Sequence, residues 1–225
     1  MLDLGINHAD PRRLQVMHEV VASRARPGFR VLEIGSYEGV SALAWCEAIN
    51  SFCGSGSVLC IDTWRSYVSQ IDEESQPICK QINEVLESGV VFNRFLSNIR
   101  QSPASVPVSY LVGSLPQNFY TIKRLFHPPF DVVYIDGDHA YDSVTLDLAY
   151  SIPLVPVGGI LCGDDLERQL HECDKAEVEA NKDRNWVGYH PGVTLAVGQV
   201  FDRVWAKEGF WAMCKTETGW EPPFS

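Results

Sequence analysis

Acidic side chains recur where apolar runs end, and these are the residues whose type and position could do chemistry. In open α/β sheets, ligands bind outside the carboxyl ends of the strands. Carboxylates at several such ends therefore predict a ligand site. The acids are Glu33 within the run 30–34, Asp62 closing 58–62, Asp136 closing 132–136, and Asp164 and Asp165 after 159–162.

The first of these runs leads into a glycine-containing turn. Residues 33–39 have the form E-x-G-x-x-x-G, and Tyr37 stands where the dinucleotide-binding motif has its second glycine. That glycine lets the backbone approach a pyrophosphate, so its absence disfavours a dinucleotide. Asp62 follows Gly39 at close to the spacing at which an acidic residue binds a ribose diol. A nucleoside without a diphosphate fits this pattern better.

The elements that must position these residues alternate between strand and helix. Five apolar runs predict parallel strands covered on both faces, and a hairpin predicted at 204–206 and 210–213 adds two more. We therefore predict an α/β fold, a doubly wound and mostly parallel seven-stranded Rossmann-like sheet with helices on both faces. The runs lie at 30–34, 58–62, 110–112, 132–136 and 159–162, and helices are predicted at 10–26, 40–48, 141–154 and 191–201.

Two longer stretches do not fit ordinary crossovers. Residues 63–107 contain helical patterns and residues 166–189 are charged and poor in apolar residues, so both are candidate lid or substrate segments. No repeat or second core is evident. We expect a single domain over residues 1–225 that begins with an N-terminal helical segment, 1–28.

The composition excludes several classes of function. Eighteen Lys and Arg residues against 29 Asp and Glu residues give a net charge of −11, which disfavours nucleic acid and anionic lipid as partners. No apolar run approaches the roughly 20 residues of a membrane-spanning helix. The 7 cysteines form no C-x-x-C pair and no secretory signal is evident, so we expect reduced thiols and a cytoplasmic protein.

Four segments in order along the chain carry a family resemblance: VLEIGSYEG (31–39), CIDTW (60–64), VYIDGDHAYDSV (133–144) and PVGGILCGDDL (156–166). They resemble class I S-adenosylmethionine (SAM)-dependent methyltransferases, in particular the macrocin O-methyltransferase and cephalosporin hydroxylase-like group, which is similar to the catechol-type enzymes. The resemblance implies a methyl transfer from SAM to a hydroxylated small molecule. It assigns the cofactor to Glu33, Gly35, Ser36, Gly39, Asp62, Thr63, Gly113, Ser114 and Asp136.

The same resemblance implies a divalent metal, usually Mg²⁺, on Asp136, Asp164 and Asp165. The sheet supports this independently, because the strands that end at Asp136 and Asp164 should be neighbours about 4.8 Å apart. Carboxylates so close would repel one another unless a hard cation joined them, and Mg²⁺ accepts such ligands. Asp165 stands where the plant-type members have Asn, which leaves the identity of the metal open.

His139 is the candidate general base, with Asp136 beside it as the second catalytic residue. In the macrolide-sugar members of the family a histidine at this place is the proposed base. An aliphatic alcohol is a poor nucleophile until it loses its proton, and an imidazole titrates near working pH. Nearby carboxylates should raise the pKa of His139, so that the rate rises with pH.

Alternatives remain open at this stage. The strand-end acids could simply cap helices, Glu33 and the glycines could form only a tight turn, and His139 could be structural or contact the substrate. His190, ahead of Pro191, could also face the site. Competing functions are a non-catalytic SAM-binding protein and a nicotinamide-dependent oxidoreductase. The sequence does not identify the acceptor and leaves the oligomeric state open, a homo-oligomer included.

Overall fold

The computed structural model describes residues 11–127 and 129–224. Strands and helices alternate along most of this part of the chain, as the apolar runs predict. Within it the strands are β1 (Phe29–Ile34), β2 (Gly56–Asp62), β3 (Val108–Val112), β4 (Val132–Ile135), β5 (Ile160–Gly163), β6 (Trp205–Lys207), β7 (Phe210–Lys215) and β8 (Trp220–Glu221).

The helices fill the connections between these strands. Each βα unit needs a crossover helix because consecutive parallel strands begin at the same end of the sheet, and the chain must return to that end between them. The helices of the described residues are α1 (Pro11–Ser23), α2 (Val40–Phe52), α3 (Gln70–Ser75), α4 (Pro77–Glu87), α5 (Val90–Ile99), α6 (Leu115–Leu125), α7 (Tyr141–Ser151), α8 (Lys175–Asn181) and α9 (Pro191–Phe201).

The strands form one sheet in the order β3-β2-β1-β4-β5-β7-β6, and β8 pairs with β7. Strands β1 to β5 are parallel, and β7 runs antiparallel to its neighbours. This confirms the doubly wound, mostly parallel sheet. The two-residue β8 adds an eighth strand to the seven predicted, and its segment carries no apolar run that could have revealed it.

Helices cover both faces of the sheet, as the continuous apolar runs predict. One core contains Val31 with Trp45 of α2 and Phe95 of α5, and the other contains Leu32 with Leu148 of α7. Successive residues of β1 therefore point to opposite cores. The edge strand β3 is the exception, because most of its residues are partly or fully exposed.

The strand order creates a switch point between β1 and β4. From β1 the chain continues to β2 on one side, and from β4 it continues to β5 on the other side. A crevice therefore opens between the carboxyl ends of β1 and β4. Ile34 of β1 pairs with Ile135 of β4, which in turn pairs with Gly163 of β5. The residues that follow these three, Gly35, Asp136 and Asp164, therefore begin at one level of the sheet.

The two long segments are structured. Residues 63–107 carry α3, α4 and α5, and residues 166–189 carry α8 with a short 3-10 turn at Leu170–Glu172. The segments meet where Asp72 of α3 accepts hydrogen bonds from Arg184 Nε (2.7 Å) and from the backbone N–H of Asn185 (2.9 Å).

Within the described residues, the first helix lies inside the predicted N-terminal segment 1–28. It comprises Pro11–Ser23 and packs on α2 through buried residues that include Val16 and Val20. Residues 1–10 lie outside the described residues. Among the described helices, none is both long and apolar enough to cross a membrane.

Candidate active site

A cavity of about 960 Å³ opens at the carboxyl ends of the parallel strands. Its walls come from the loop after β1, the ends of β2, β4 and β5, the start of α6 and parts of α1, α4 and α7. The predicted site residues that line it are Gly35, Ser36, Asp62, Thr63, Gly113, Ser114, Asp136, His139, Asp164 and Asp165. The strand-end rule thus brings ten of the predicted residues to one cavity.

The glycine loop after β1 is held against β4. Gly35 has a φ of +83°, and a Cβ atom there would lie 1.9 Å from the backbone oxygen of Asp136. No side chain fits such a gap, so glycine is required where the two strand ends separate. Gly39 lies at the N-terminus of α2, where a Cβ would meet Phe95 at 2.9 Å. Gly39 packs against a helix and does not line the cavity.

Asp62 fixes this loop. Its Oδ2 atom accepts hydrogen bonds from the backbone N–H groups of Ser36 (2.9 Å) and Tyr37 (2.8 Å), and its Oδ1 atom accepts one from Trp64 (2.6 Å). Burial raises the pKa of Asp62, although the hydrogen bonds from these backbone groups act to lower it. Since Asp62 also lines the cavity, its carboxylate is placed both to shape the loop and to meet a ligand. Its role towards a ribose stays a prediction.

Glu33 lies beneath the loop, outside the cavity wall. It is fully buried, and its Oε2 atom accepts a hydrogen bond from the Ser36 hydroxyl (3.0 Å). Its Oε1 atom has no partner within the described residues. Burial raises the pKa of Glu33 to about 7, and the pKa-lowering effects of Ser41 and Ser36 offset only part of this increase. The structure therefore places Glu33 under Ser36, where it would act on a cofactor only through the loop.

The raised pKa of Glu33 makes stability depend on pH. Between pH 4.5 and about 7 the folded chain holds a proton that the unfolded chain has lost, so the free energy of unfolding falls as pH rises. We expect Glu33→Gln to remove up to about 3 kcal/mol of this fall. Urea unfolding of both proteins at about pH 5 and about pH 8 measures the difference. Parallel changes in the two proteins would contradict a buried, protonated Glu33.

Asp136, Asp164 and Asp165 follow the ends of β4 and β5 and line the same cavity. Asp136 accepts a hydrogen bond from the Tyr134 hydroxyl (3.0 Å), and Asp164 Oδ2 receives one from Arg13 Nη1 of α1 (2.6 Å). Arg13 also lies 3.7 Å from Asp165 Oδ1. One guanidinium thus faces two of the three acids.

His139 lies between two acceptors. Its Nε2 atom is 2.9 Å from Asp165 Oδ2 and its Nδ1 atom is 2.9 Å from Asn185 Oδ1. Burial alone would lower the pKa of His139, but the charge of Asp165 and both hydrogen bonds outweigh it and raise the pKa to about 10. The sequence-based expectation of a raised pKa agrees with this arrangement.

The pKa values of the three aspartates depend on their burial and on one another. Burial and then the charge of Asp165 raise the pKa of Asp136 to about 7. Burial and the charge of Asp136 raise the pKa of Asp164 well above its usual range. Burial acts in the same sense on Asp165, but the charge and hydrogen bond of His139 outweigh it and lower that pKa. Burial and mutual repulsion thus disfavour the charged forms of Asp136 and Asp164, while His139 favours the charged form of Asp165.

The donor set can accommodate a divalent cation, in one of two arrangements. The hard oxygen ligands of Asp136, Asp164 and Asp165 all line the cavity, which suits Mg²⁺. Among the described residues, however, the group whose ligand atoms lie within 4.8 Å of one another is His139, Asp165 and His190. In an all-carboxylate site Asp164 would bind the ion beside Arg13, whose Nη1 atom donates to Asp164 Oδ2. Asp165 belongs to both sets.

Sequence reasoning missed two partners of this network, Arg13 and Asn185, and left open whether His190 faces the site. Arg13 comes from α1, Asn185 from the segment 166–189, and His190 from the start of α9. His190 Nδ1 lies 3.1 Å from Glu167 Oε1 and 3.6 Å from Asp165 Oδ1, and its ring is 4.3 Å from that of His139. The only signal in the sequence was the position of His190 before a predicted helix. Arg13 and Asn185 reach the site through tertiary contacts that no local pattern records.

The segments 63–107 and 166–189 contribute in different ways. The first supplies cavity-lining residues, among them Tyr67 and Ile82. No residue of 166–189 lines the cavity, and this segment acts instead through Asn185 on His139.

A doubly wound sheet with a glycine loop, a cavity at the strand ends and acids at its switch point defines a Rossmann-like α/β protein with a ligand site. The family model described as a methyltransferase domain matches residues 32–166. The chain belongs to this methyltransferase-domain family. Its sequence-based identification as a class I SAM-dependent methyltransferase is confirmed. No curated protein matches the chain.

Solved structures of O-methyltransferases share the fold. TomG from Streptomyces achromogenes, in complex with SAM, is 17% identical, with a TM-score of 0.50 over 95% of this chain and 78% of that one. CalS11, a TDP-rhamnose 3′-O-methyltransferase, is 13% identical, with a TM-score of 0.53 over 90% and 77%. MycE, in complex with Mg and S-adenosylhomocysteine (SAH), is 15% identical, with a TM-score of 0.51 over 90% of this chain and 49% of MycE.

Proposed function

We propose that the chain transfers the methyl group of SAM to a hydroxyl oxygen of a small metabolite, a sugar or natural product, with help from a divalent cation. The observation that carries this proposal is the meeting of the Asp62-fixed glycine loop and the His139 network in one cavity. CalS11 methylates a sugar hydroxyl, and MycE is seen with Mg and SAH. Both support an O-linked acceptor and a metal by similarity.

The chain's residues would divide the work between the two ends of the cavity. The loop around Ser36 with Asp62, Thr63, Gly113 and Ser114 would hold the nucleoside and the methionine part of SAM. His139 Nε2 would take the acceptor's hydroxyl proton while the oxygen bonds to the methyl carbon and the electron pair of the broken bond returns to sulfur. The products are the methyl ether and SAH.

Asn185 and Asp165 keep the imidazole in position for this task. Nδ1–H donates to Asn185 Oδ1, and Nε2 lies 2.9 Å from Asp165 Oδ2, which would accept a hydrogen bond from Nε2 once that atom has taken the proton. Asp165 favours the protonated form of His139, so the imidazole would act as a base when positive charge near Asp165 weakens that effect, and Arg13 Nη1 lies 3.7 Å from Asp165 Oδ1. A divalent ion on Asp136, Asp164 and Asp165 would supply further positive charge and lower the pKa of the acceptor hydroxyl.

The acceptor would lie against the segment 63–107. Ile78, Ile82 and Leu86 give the cavity an apolar side, and Arg65 and Ser66 add polar groups. This mixture suits a hydroxylated molecule with one apolar face. We infer that residues 1–225 form a single domain. The net charge of −11 argues against a nucleic-acid partner, and the free cysteines favour a cytoplasmic location.

Cofactor titration tests the proposal first. Calorimetry should give heat for SAM and SAH, and none for NAD; clear binding of NAD alone would favour the oxidoreductase. A panel of sugars and natural-product alcohols is then assayed for release of SAH. Cofactor binding without release across acceptors and divalent metals would favour a non-catalytic SAM-binding protein.

Asp62→Ala should weaken SAH binding by about 10- to 100-fold, because a buried charged hydrogen bond contributes roughly 1.5–3 kcal/mol. The variant loses both a ligand contact and the acceptor that holds the Ser36 and Tyr37 amides. Asp62→Asn keeps one oxygen and should lose less. An unchanged dissociation constant in Asp62→Ala would remove Asp62 from the cofactor site.

A further inference from the structure

Arg13 of α1 brings a positive charge to the carboxylates that follow β5. Its Nη1 atom donates to Asp164 Oδ2 at 2.6 Å and lies 3.7 Å from Asp165 Oδ1. Its Nη2 atom lies 4.0 Å from Glu167 Oε1, and the side chain lines the cavity. Three acids thus face one guanidinium. The proposed mechanism uses only its charge near Asp165 and gives its hydrogen bond to Asp164 no role.

A turn of the sheet holds the other side of this guanidinium. Arg13 Nε donates to the backbone oxygen of Glu208 at 3.0 Å, in the turn between β6 and β7. At Gly209, where φ is +83°, a Cβ atom would lie 2.8 Å from Arg13 Nη2, so the turn passes close to the guanidinium. The backbone oxygen of Gly209 also accepts the N–H of Leu166 at 2.9 Å. Arg13 is therefore fixed between this turn and the acidic loop after β5.

α1 keeps Arg13 in this position through residues further along the helix. Val16 and Met17 are buried in the core that α1 shares with α2. The neighbouring Arg12 contacts the same turn from outside, with Nη1 2.8 Å from Glu208 Oε2 and 65% of its side chain exposed. The side chain of Arg13 is 29% exposed. Two adjacent arginines thus bind one turn, and Arg13 is the one that reaches the carboxylates of the cavity.

Asp164 has both carboxylate oxygens in hydrogen bonds. Oδ1 accepts the backbone N–H of Asp165 at 2.9 Å, and Oδ2 accepts the bond from Arg13. Asp164 is buried, so its charged form depends on such donors when no metal is bound. A divalent ion would use lone pairs on the same oxygens and would lie close to the guanidinium. Like charges so close repel one another, and more strongly where little water separates them.

We propose that Arg13 is a resident cation of the carboxylate site, which keeps Asp164 in place when no metal is bound and weakens the binding of a divalent ion. This inference rests on the proposed function, because it requires that Asp136, Asp164 and Asp165 bind the ion. The metal-free chain keeps its carboxylates paired with a cation, and the metal binds against the charge of that cation. α1 thereby determines metal affinity, although Arg13 cannot itself be a ligand.

Titration of Mg²⁺ and Mn²⁺ into metal-free protein tests the inference by calorimetry, without cofactor or acceptor. The proteins compared are the wild-type chain, Arg13→Gln and Arg13→Lys, each treated with EDTA and freed of the chelator. Arg12→Gln is the matched control, because it removes the same charge from the adjacent position but keeps the guanidinium at Asp164. The variants should fold, since the apolar contacts between α1 and α2 are retained, and circular dichroism verifies this.

Arg13→Gln should bind both ions about 10- to 100-fold more tightly than the wild-type chain, because the repulsion is removed and Asp164 Oδ2 loses a competing donor. Arg13→Lys keeps the charge and should gain less. Arg12→Gln should stay within about twofold of the wild type, because solvent screens its exposed charge. Unchanged or weaker binding in Arg13→Gln, or an equal gain in Arg12→Gln, would overturn the inference alone. Failure of all four proteins to bind either ion overturns the proposed metal site and this inference together.

Thermal unfolding gives a second readout that does not depend on activity. In EDTA, Arg13→Gln should unfold at a lower temperature than the wild-type chain, because Asp164 has lost its cation. One fixed concentration of Mg²⁺ should then raise the unfolding temperature more in Arg13→Gln, since stabilisation by a ligand grows with its affinity. A smaller rise in Arg13→Gln than in the wild type would contradict the inference.

Discussion

Replacing His139 with Ala is expected to lower the turnover number by about 10²- to 10⁴-fold at saturating SAM, acceptor and Mg²⁺. The loss follows from the place of His139 in the cavity wall, where Asn185 Oδ1 holds its Nδ1 atom. Without the imidazole the acceptor must give its proton to water. Cofactor affinity should change little, because the glycine loop and Asp62 do not contact this ring.

Single-turnover kinetics measure this effect, with SAH affinity determined separately by calorimetry. His139→Gln keeps hydrogen-bonding capacity but cannot act as a base, so it should be as slow as His139→Ala. His171→Ala provides a control, because His171 is exposed in the segment 166–189. Wild-type turnover in both His139 variants would mean that the cation bound by the carboxylates activates the acceptor hydroxyl without His139.

Removal of divalent metal is expected to abolish methyl transfer and leave SAH binding largely intact. The crowded carboxylates explain the expectation, since burial and mutual repulsion raise the pKa of Asp136 and Asp164. Binding of a hard cation would offset that repulsion. Chelation with EDTA followed by Mg²⁺ addition should switch the activity off and on, and activity that survives exhaustive chelation would contradict the metal assignment.

Direct titration of Mg²⁺ and Mn²⁺ into variants distinguishes the two candidate ligand sets. Asp165→Asn should weaken metal binding in either arrangement. Asp164→Asn should weaken it only if the three carboxylates bind the ion, and His190→Ala only if the set is His139, Asp165 and His190. We expect the first pattern for Mg²⁺, because its preferred ligands are oxygens. Loss of Mg²⁺ binding in His190→Ala with Asp164→Asn unaffected would reverse that choice.

Local patterns in the sequence predicted the sheet and much of the cavity because parallel strands obey simple geometry. Apolar runs fixed the strands, and the carboxyl ends of neighbouring strands necessarily meet, which brought Asp136, Asp164 and Asp165 together. The alternation along β1 also contained the position of Glu33. It shares a face with Val31, which points into the α1 and α2 core, so its side chain lies below the cavity.

The partners that reach the site from distant segments could not be predicted in this way. Arg13 reaches Asp164 across 151 residues of sequence, and Asn185 reaches His139 across 46. Such contacts depend on where α1 and the segment before α9 pack, and no local propensity encodes that. The same holds for His190, whose closeness to His139 arises from α9 approaching the loop after β4: at Gly192 a Cβ would lie 2.2 Å from the backbone oxygen of His139.

The junction between the two long segments links the packing of α3 to the orientation of His139. Asn185 gives its backbone N–H to Asp72 of α3 and contacts His139 through its side chain. A change in how residues 184–185 pack on α3 would therefore reach the imidazole through a single residue. Orientation of the proposed base is thus tied to a segment that lines no part of the cavity, so a substitution outside the cavity wall can change turnover and leave cofactor binding intact.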